Sequence, residues 1–555
     1  MTKTLITSAL LYVNGIPHLG HLAGCLLPSD VFARYRRLKG DEVLFPYATD
    51  EHGTPSELGA AKEKMTPLEY TTKYHEIHKE IYGAWGISFD HIGRTSGKTN
   101  AELTQQLARE IDKAGYMEVR ETEQMYSKAD KRFLPDRYVE GTCPYCKYER
   151  ARGDQCEACT KLLDPQILLN PRSAISGSTN LEMRKTKHLY FLLSKMAPRL
   201  HEWIDSHKKD WSALELGIAY KWLDEGLSDR AITRDLSWGV KVPEDTWPEL
   251  AGKVFYVWFD APVGYISATK EYCDARKQDW HDWWFAKDVK YFEFMGKDNL
   301  PFHSIFFPAM LMASGKDYHL VDSLKGMSYL NFEGGKFSKS ARRGIFMDDA
   351  MREFPETDYL RYSVMKNLPE ATDADFSFAR LADDVNKDIN DVLGNFVLRV
   401  MKFYKSKWGE EILHAPCPAP SPLSEALAEK IKAYEKYLND LEFKKALAEL
   451  RSIWALGNEF LDKAAPWSLY KTDPDAAGSL LVFAMNLARV YATLAAPVMP
   501  VLSQKILDAL TAPLEWDFNL EEINKGHRII APDVLFSKIT PERVEELNAK
   551  YSGKN

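Results

Sequence analysis

Cysteine is scarce in this chain of 555 residues: there are seven, and four of them crowd between positions 143 and 159. No run of about 18 apolar residues is present, so no membrane span is expected. The first residues, Met1-Thr2-Lys3-Thr4-Leu5-Ile6, lead straight into a strand-like run and leave no room for a signal peptide. A cytoplasmic location is therefore expected. Positive charge is not in excess: the net charge is −8, which argues against bulk attraction to nucleic acid. An RNA partner would need a local basic face. There is no internal repeat and no low-complexity tail. What remains is ordinary for a soluble globular protein, with 45% hydrophobic and 27% charged residues. The length predicts several domains, each with its own core.

Against that plain background two short strings stand out. His18-Leu19-Gly20-His21 follows the apolar run Thr4–Val13 and the turn Asn14-Gly15-Ile16-Pro17, and opens a helical pattern from about Leu19 to Lys39. A strand that turns through glycine into a helix presents free N–H groups and a positive dipole end to an anion. Two imidazoles add donors there, and Gly20, without a Cβ, lets a flat base approach the backbone. The second string, Lys336-Phe337-Ser338-Lys339-Ser340, follows Gly334-Gly335 and offers two ammonium groups with two hydroxyls close by. That is a cationic clamp suited to a departing pyrophosphate. Taken singly, one string is also what a buried histidine pair looks like, and the other a solvated loop.

The crowded cysteines read Cys143-x-x-Cys146 and Cys156-x-x-Cys159. Each turn aims two thiolates at one point, and two turns complete a tetrahedron of sulfur around zinc. Four thiolates leave no open position for water, so the metal would be structural. Two disulfides are the alternative, disfavoured in a chain without an export signal. Cys25, Cys273 and Cys417 are isolated and read as packing residues.

Strand-like runs (Thr4–Val13, Glu42–Tyr47, Phe89–Ile92) alternate with helical patterns up to about residue 115, which predicts a parallel sheet with right-handed crossovers. Ligands on such a sheet bind beyond the carboxyl ends of the strands, where His18 and His21 fall. Residues 116–230 break the alternation and read as an insertion holding the cysteine knot. Alternation resumes with Lys253–Trp258 and Tyr291–Met295 as strands of residues 231–325, followed by a segment at 326–388 that carries the lysine-rich loop. From 389 to 555 the pattern is helical. The connector Ala415–Pro422 has prolines that cannot sit inside a helix, so it should join two antiparallel helices of a bundle. The fold class is α/β: a Rossmann-type doubly wound parallel sheet with a zinc-knuckle insertion and a C-terminal α-helical bundle.

Trp258-Phe259-Asp260-Ala261-Pro262-Val263-Gly264-Tyr265 sets large aromatics around a small corner. With Leu10, Tyr12 and His303 they would wall a pocket for a flexible thioether, which favours aromatic edges. Asp50, in Ala48-Thr49-Asp50-Glu51-His52-Gly53, is a sensible partner for an α-ammonium group. The bland reading of the same residues is an aromatic core with a capping aspartate.

The two strings in this order resemble the signatures of class I aminoacyl-tRNA synthetases. Nearly the whole chain resembles the methionyl-tRNA synthetase family: Tyr12-x-Asn14-Gly15-x-x-His18-Leu19-Gly20-His21, Asp50-x-His52-Gly53-Thr54, a single four-cysteine knot, Trp258 to Tyr265, Gly296-Lys297-Asp298-Asn299 with Pro301-Phe302-His303, Lys336 to Ser340, Asn395-x-x-x-Arg399 and Ala465-Pro466-Trp467. The resemblance implies that Leu10, Tyr12, Trp258, Ala261, Pro262, Tyr265 and His303 contact methionine and that Asp50 holds its amino group. His18 and His21 would bind ATP phosphates, Gly20 the adenine and Asp298 the ribose, while Lys336 and Lys339 stabilise the transition state. ATP would bring Mg²⁺ with it. Asn395, Arg399 and Trp467 would read the anticodon CAU of initiator and elongator tRNA(Met). An Asn and an Arg one helical turn apart share a face, and RNA loops are read by stacking on aromatic and guanidinium planes; a helix-packing role is the alternative for Trp467. The short charged helix at Pro541–Lys550, with no further domain after it, favours a monomer.

Four positions depart from the family pattern. Leu11 stands where proline is common, Thr160 where glycine is common, Phe337 where methionine is usual, and Lys241 near an acidic position of some relatives. Three rivals share part of the pattern: a synthetase for another amino acid, a simpler nucleotidyltransferase, and a non-catalytic tRNA-binding paralogue. The small insertion argues against the first, the knot and helical region against the second, and intact His18, His21 and Lys339 against the third.

Overall fold

The computed structural model describes residues 2–135, 138–153, 156, 158–159, 161, 163–338 and 343–553. Lys339 and Thr160 therefore lie outside the described residues.

Lys3–Ser8 lies inside an all-parallel sheet ordered Ser323–Met327, Val289–Gly296, Lys3–Ser8, Glu42–Leu44. Thr4 through Ser8 are buried without alternation, which requires both faces of the sheet to be covered. The sheet thus joins two stretches of chain on either side of the insertion. The apolar run was expected to stay extended to Val13. It leaves the sheet after Ser8, and residues 11–13 pair instead with the end of Pro46–Thr49: Asp50 N–H donates to Leu11 O at 3.1 Å and Val13 N–H to Asp50 O at 3.1 Å. That departure carries Leu10, Tyr12 and Asp50 to one place.

Glu42–Tyr47 was expected as one strand. Pro46 has no amide hydrogen, and the run divides into Glu42–Leu44 and Pro46–Thr49, the latter pairing in parallel with His91–Arg94. Lys253–Trp258 was likewise expected as a strand. Only Val254–Phe255 is one, and Val257–Asp260 turns into helix, which buries Val257, Phe259 and Asp260. Burial overrides the strand preference of these aromatic and β-branched residues.

The insertion has more order than its sequence suggested. Met117–Ser127 and Leu181–Phe191 form a long antiparallel pair, and Val139–Thr142, Ala151–Arg152 and Leu169–Ser173 form a small sheet that holds the cysteines.

Beyond the lysine-rich loop the chain is mainly helical: Asp358–Lys366, Asn395–Trp408, Ser421–Asn439, Phe443–Ala464, Pro474–Ala495, Pro500–Leu510 and Pro541–Tyr551. The strand Ala374–Phe376 pairs in parallel with Leu330–Phe332, and residues 512–539 form neither helix nor strand, which corrects the expectation of helix from 389 to 555. Arg361, fully buried, ties this region to the sheet region: its guanidinium meets the Asp30 carboxylate at 2.6 Å and donates to Val498 O at 2.8 Å. Pro474–Ala495 holds no unbroken apolar run, being interrupted by Ser479, Asn486, Arg489 and Thr493, yet by length and mean composition it is apolar enough to cross a membrane. Its mean hydropathy reaches 1.4 over 18 residues, but 89% of that stretch is buried. Asn486 and Arg489 inside it donate to Ile523 O and Asn519 O, so it packs as a core helix.

Candidate active site

The first signature is built as expected at the exit of the sheet, but the helix after it is not uniform. A short turn, Leu19–His21, runs through a π segment, Leu22–Leu26, before Leu27–Leu38. Such segments recur at functional sites. His18 caps that turn: its Nδ1 accepts from Gly20 N–H at 3.0 Å, and His21 Nδ1 accepts from His18 N–H at 3.1 Å. Each Nδ1 is therefore an acceptor, so each neutral ring carries its proton on Nε2 as a donor. Burial, and then the neighbouring His21, lowers the His18 pKa to about 2. Burial, and then His78, lowers that of His21 to about 4. Both rings are neutral donors at pH 7. At Gly20 a Cβ would lie 2.7 Å from His18 Cε1, so glycine is required to seat the imidazole.

His21 lines a cavity of about 260 Å³ together with Leu10, Leu11, Tyr12, Asn14, Gly15, Ile16, Pro17, Asp50, His78, Trp258 and Asn299. Four of the residues expected around the amino acid, Leu10, Tyr12, Asp50 and Trp258, thus share one space with a signature histidine. Asp50 is buried, and its Oδ1 accepts no hydrogen bond from the described residues. Burial first, then the Asp260 and Glu51 charges, hold its pKa well above the usual carboxylate range, against the His52 N–H that stabilises the anion. Trp258 stacks on Phe302 at 3.6 Å.

Ala261, Pro262, Tyr265 and His303 do not border that cavity; all four are buried. Tyr265 and His303 meet each other, Oη to Nε2 at 2.9 Å. Burial lowers the His303 pKa to about 4. Its Nδ1 faces Asn299 O at 2.9 Å, so Nδ1–H donates there and Nε2 accepts from the tyrosine hydroxyl.

Sequence reasoning missed Leu11, Asn14, Gly15, Ile16, Pro17, His78 and Asn299 as cavity residues. His78 supports the turn directly, with Nε2 facing Gly15 O at 2.8 Å. The signal available was His75, His78 and Tyr82 on one face of the helix Pro67–Ala84.

The lysine-rich loop reaches the first signature. Met347 N–H donates to Pro17 O at 2.8 Å, and His18 bridges to Phe346. Lys336 Nζ lies 6.0 Å from the Tyr329 ring, whose hydroxyl donates to the Asp298 carboxylate. Lys336 and Asp298 are thus neighbours through one tyrosine.

In the helical region, Asn395, Arg399 and Phe403 are spaced one turn apart on Asn395–Trp408. The Arg399 guanidinium lies 4.7 Å from the Trp467 ring, and Phe403 meets that ring edge-on. Asn395 is exposed. The cysteines also converge. Cys146–Cys156 and Cys143–Cys159 sulfurs are 3.5 and 3.9 Å apart, and all four lie within 4.8 Å of one another. Tetrahedral zinc with bonds of about 2.3 Å spaces its sulfurs about 3.8 Å apart. The donor set fits that ion.

Of the departures, Leu11 makes a bond that proline cannot, its N–H donating to Tyr47 Oη at 3.0 Å. Lys241 is exposed and its ammonium meets Ser237 O at 3.3 Å. Phe337 stacks on His18.

Comparison with known proteins agrees with this architecture. Residues 4–401 match the family model for tRNA synthetases class I (M), and residues 414–555 that for the anticodon binding domain of methionyl tRNA ligase. The chain has the fold of a class I aminoacyl-tRNA synthetase, with a parallel α/β sheet and a C-terminal helical region. It is 49% identical over 565 residues to the methionine–tRNA ligase of Jannaschia sp. (strain CCS1), covering 100% of this chain and 99% of the relative. It is also 49% identical over 571 residues to that of Dinoroseobacter shibae, covering 100% of both. The chain belongs to the methionine–tRNA ligase family. A solved structure of Mycobacterium tuberculosis methionyl-tRNA synthetase in complex with methionyl-adenylate shares the fold, with a TM-score of 0.78 at 23% identity over 97% of this chain and 100% of that one.

Proposed function

We infer that this enzyme activates L-methionine with ATP and transfers it to the 3′ end of tRNA(Met), and that the residues gathered around His21 do the chemistry. The observation that carries the residue assignment is the shared cavity of Leu10, Tyr12, Asp50, Trp258 and His21. It supports an amino-acid pocket that opens onto the nucleotide site.

In the first step a methionine carboxylate oxygen attacks the α-phosphorus in line. A phosphorus–oxygen bond forms to give methionyl adenylate as the bond to pyrophosphate breaks. In the second step the terminal ribose hydroxyl of the tRNA attacks the carbonyl carbon; the ester bond forms as the bond from that carbon to the phosphate oxygen breaks, the hydroxyl proton is released, and AMP leaves. The attacking carboxylate is already ionised, so the protein supplies alignment and charge stabilisation without a nucleophile of its own. His18 and His21 donate Nε2–H to phosphate oxygens, and Lys336 and Lys339 neutralise the pyrophosphate. Asp298 holds the ribose and Gly20 lies at the adenine. Mg²⁺ would come with ATP and would supply positive charge to offset that of the phosphates, held more by ATP than by protein side chains. Asp50 receives the ammonium of methionine, and Leu10, Tyr12, Trp258, Ala261, Pro262, Tyr265 and His303 surround the side chain.

Cys143, Cys146, Cys156 and Cys159 hold one structural zinc. Asn395, Arg399 and Trp467 read the anticodon of initiator and elongator tRNA(Met). The guanidinium beside the indole supports this, because it offers two stacking planes on one surface. The remaining organisation we propose is a Rossmann-type doubly wound catalytic domain in two halves (1–115, 231–325), the insertion (116–230), the lysine-rich loop domain (326–388) and a helical bundle (389–555). The enzyme acts as a monomer in the cytoplasm.

The test is ATP–pyrophosphate exchange screened over the standard amino acids. Exchange with methionine alone supports the reading; equal exchange with a branched aliphatic amino acid overturns the pocket assignment.

A further inference from the structure

Phe337 occupies the position between Lys336 and Ser338 where an unbranched methionine is usual, and it does something methionine cannot. Its ring lies parallel to the imidazole of His18, with centroids 4.6 Å apart and planes at 1°. Phe346 closes a second side of the same imidazole edge-on at 5.7 Å and 88°, and His21 lies on a third at 3.9 Å. Gly20 N–H donates to His18 Nδ1, so that hydrogen bond holds the ring in plane while the aromatic contacts set its tilt.

The chain around Phe337 is shaped to keep it there. Ser338 and Arg343 exchange both backbone hydrogen bonds at 2.9 Å. Gly344 has φ +90, and a Cβ on it would lie 2.3 Å from Phe337 Cδ1. A side chain at 344 would therefore push the ring off His18 as well as strain the backbone. Arg343 in turn anchors the stem by donating to Phe332 O at 3.1 Å and Glu333 O at 2.7 Å.

We propose that Phe337 is a positioning residue for adenylate formation: by stacking on His18 it sets the orientation of the Nε2–H donor and ties that donor to the loop that carries Lys336. The chemistry depends on that tie because imidazole and ammonium must meet one triphosphate together. A flat, rigid ring fixes tilt in a way a flexible thioether does not. The inference rests on the reading of His18 as a phosphate-binding residue.

The experiment is a double-mutant cycle read by pyrophosphate exchange on the full-length enzyme, with Phe337→Ala, Phe337→Tyr, His18→Ala and the His18→Ala/Phe337→Ala pair. Phe337→Ala is expected to lower the exchange kcat about tenfold, the worth of one aromatic pair, with the methionine KM unchanged. Phe337→Tyr, which keeps the ring, restores activity to within about twofold. With His18 already removed, Phe337→Ala costs less than about twofold further, since its effect runs through that imidazole. Selective isotope labelling of histidine supplies a second readout: the ring-current upfield shift of the His18 proton signals is present in the wild type and in Phe337→Tyr and lost in Phe337→Ala. An equal loss in both His18 backgrounds, or a Phe337→Ala enzyme as fast as wild type while His18→Ala is inactive, overturns the inference alone. Full activity in His18→Ala overturns the reading of the nucleotide site beneath it. A Phe337→Ala protein that fails to fold shifts the decision to the Tyr variant and Gly344→Ala, whose new Cβ must displace the stack and lower kcat with methionine KM unchanged; unaltered kcat there rejects the proposal.

Discussion

Asp50→Asn separates a binding carboxylate from a structural one. Asp50 is 3% exposed, and its Oδ1 accepts no hydrogen bond from the described residues although a cavity lies beside it. A buried carboxylate next to Asp260 and Glu51 is costly to ionise, and the direction of its pKa reflects that burial and those two charges. An ammonium group entering the cavity reverses the balance by giving Asp50 a charged donor. Removing one partner of a buried, hydrogen-bonded charge pair costs about 2–5 kcal/mol. Asparagine keeps the shape and relieves the repulsion from Asp260, so the lower half of that range applies. About 3 kcal/mol corresponds to a methionine KM raised about a hundredfold. The ATP KM should change by less than about threefold. The assay is pyrophosphate exchange against methionine and against its 2-hydroxy analogue, which has no ammonium group. The Asn variant should lose most of the wild-type preference for the amine. The reasoning is refuted if the variant binds methionine as well as wild type, or if the KM values for methionine and ATP rise together. The wild type carries a pH signature of the same origin. Because the pKa of Asp50 is raised, its ionised fraction falls as pH drops from neutral, and the methionine KM should rise at acid pH in the wild type and stay flat in Asp50→Asn.

Other outcomes follow from the same geometry. Burial raises Glu293 from 4.5 to about 8, so the folded protein keeps a proton that the unfolded chain releases. That stabilisation is complete below pH 4.5 and lost as pH rises through 8; relative to wild type, Glu293→Gln should gain roughly 1.4 kcal/mol per pH unit between 5 and 8. Denaturation midpoints at the two ends of that window check it, and parallel pH profiles would contradict it. Cys156→Ser removes a buried member of the sulfur tetrahedron and should lower the zinc content, measured by elemental analysis, from one per chain to less than about a tenth. Unchanged metal content would show that the sulfurs are not the ligands. Trp467→Ala and Arg399→Ala should each lower kcat/KM for tRNA by about tenfold or more, the worth of one stacked base, while exchange survives. Loss of both reactions would instead assign Trp467 to helix packing.

The parts of the site that were legible in the sequence are those whose chemistry is local. Cys143-x-x-Cys146 and Cys156-x-x-Cys159 aim thiolates by turn geometry alone, and the sulfurs converge as the spacing required. His18 and His21 cap their own turn, so four residues carry the whole arrangement. What stayed hidden depends on distant partners. Val254–Trp258 has the composition of a strand, but only tertiary burial decides that Val257–Asp260 coils inward. The pair Met117–Ser127 and Leu181–Phe191 carries so many charges on its exposed positions that its alternation was masked. Helix spacing sets His78 on one face with His75 and Tyr82, but its partner, Gly15 O, lies 63 residues away and is brought to it only by the fold. The stack of Phe337 on His18 joins residues far apart in the chain, and only the folded loop brings them together.

The most direct test of the whole account is single-turnover formation of methionyl adenylate by wild type, His21→Ala and Lys336→Ala. If imidazole and ammonium serve one triphosphate beside the methionine cavity, each substitution slows adenylate formation by about a hundredfold or more and leaves the methionine affinity within about threefold. Wild-type rates with a weakened hold on methionine, in either variant, would contradict it.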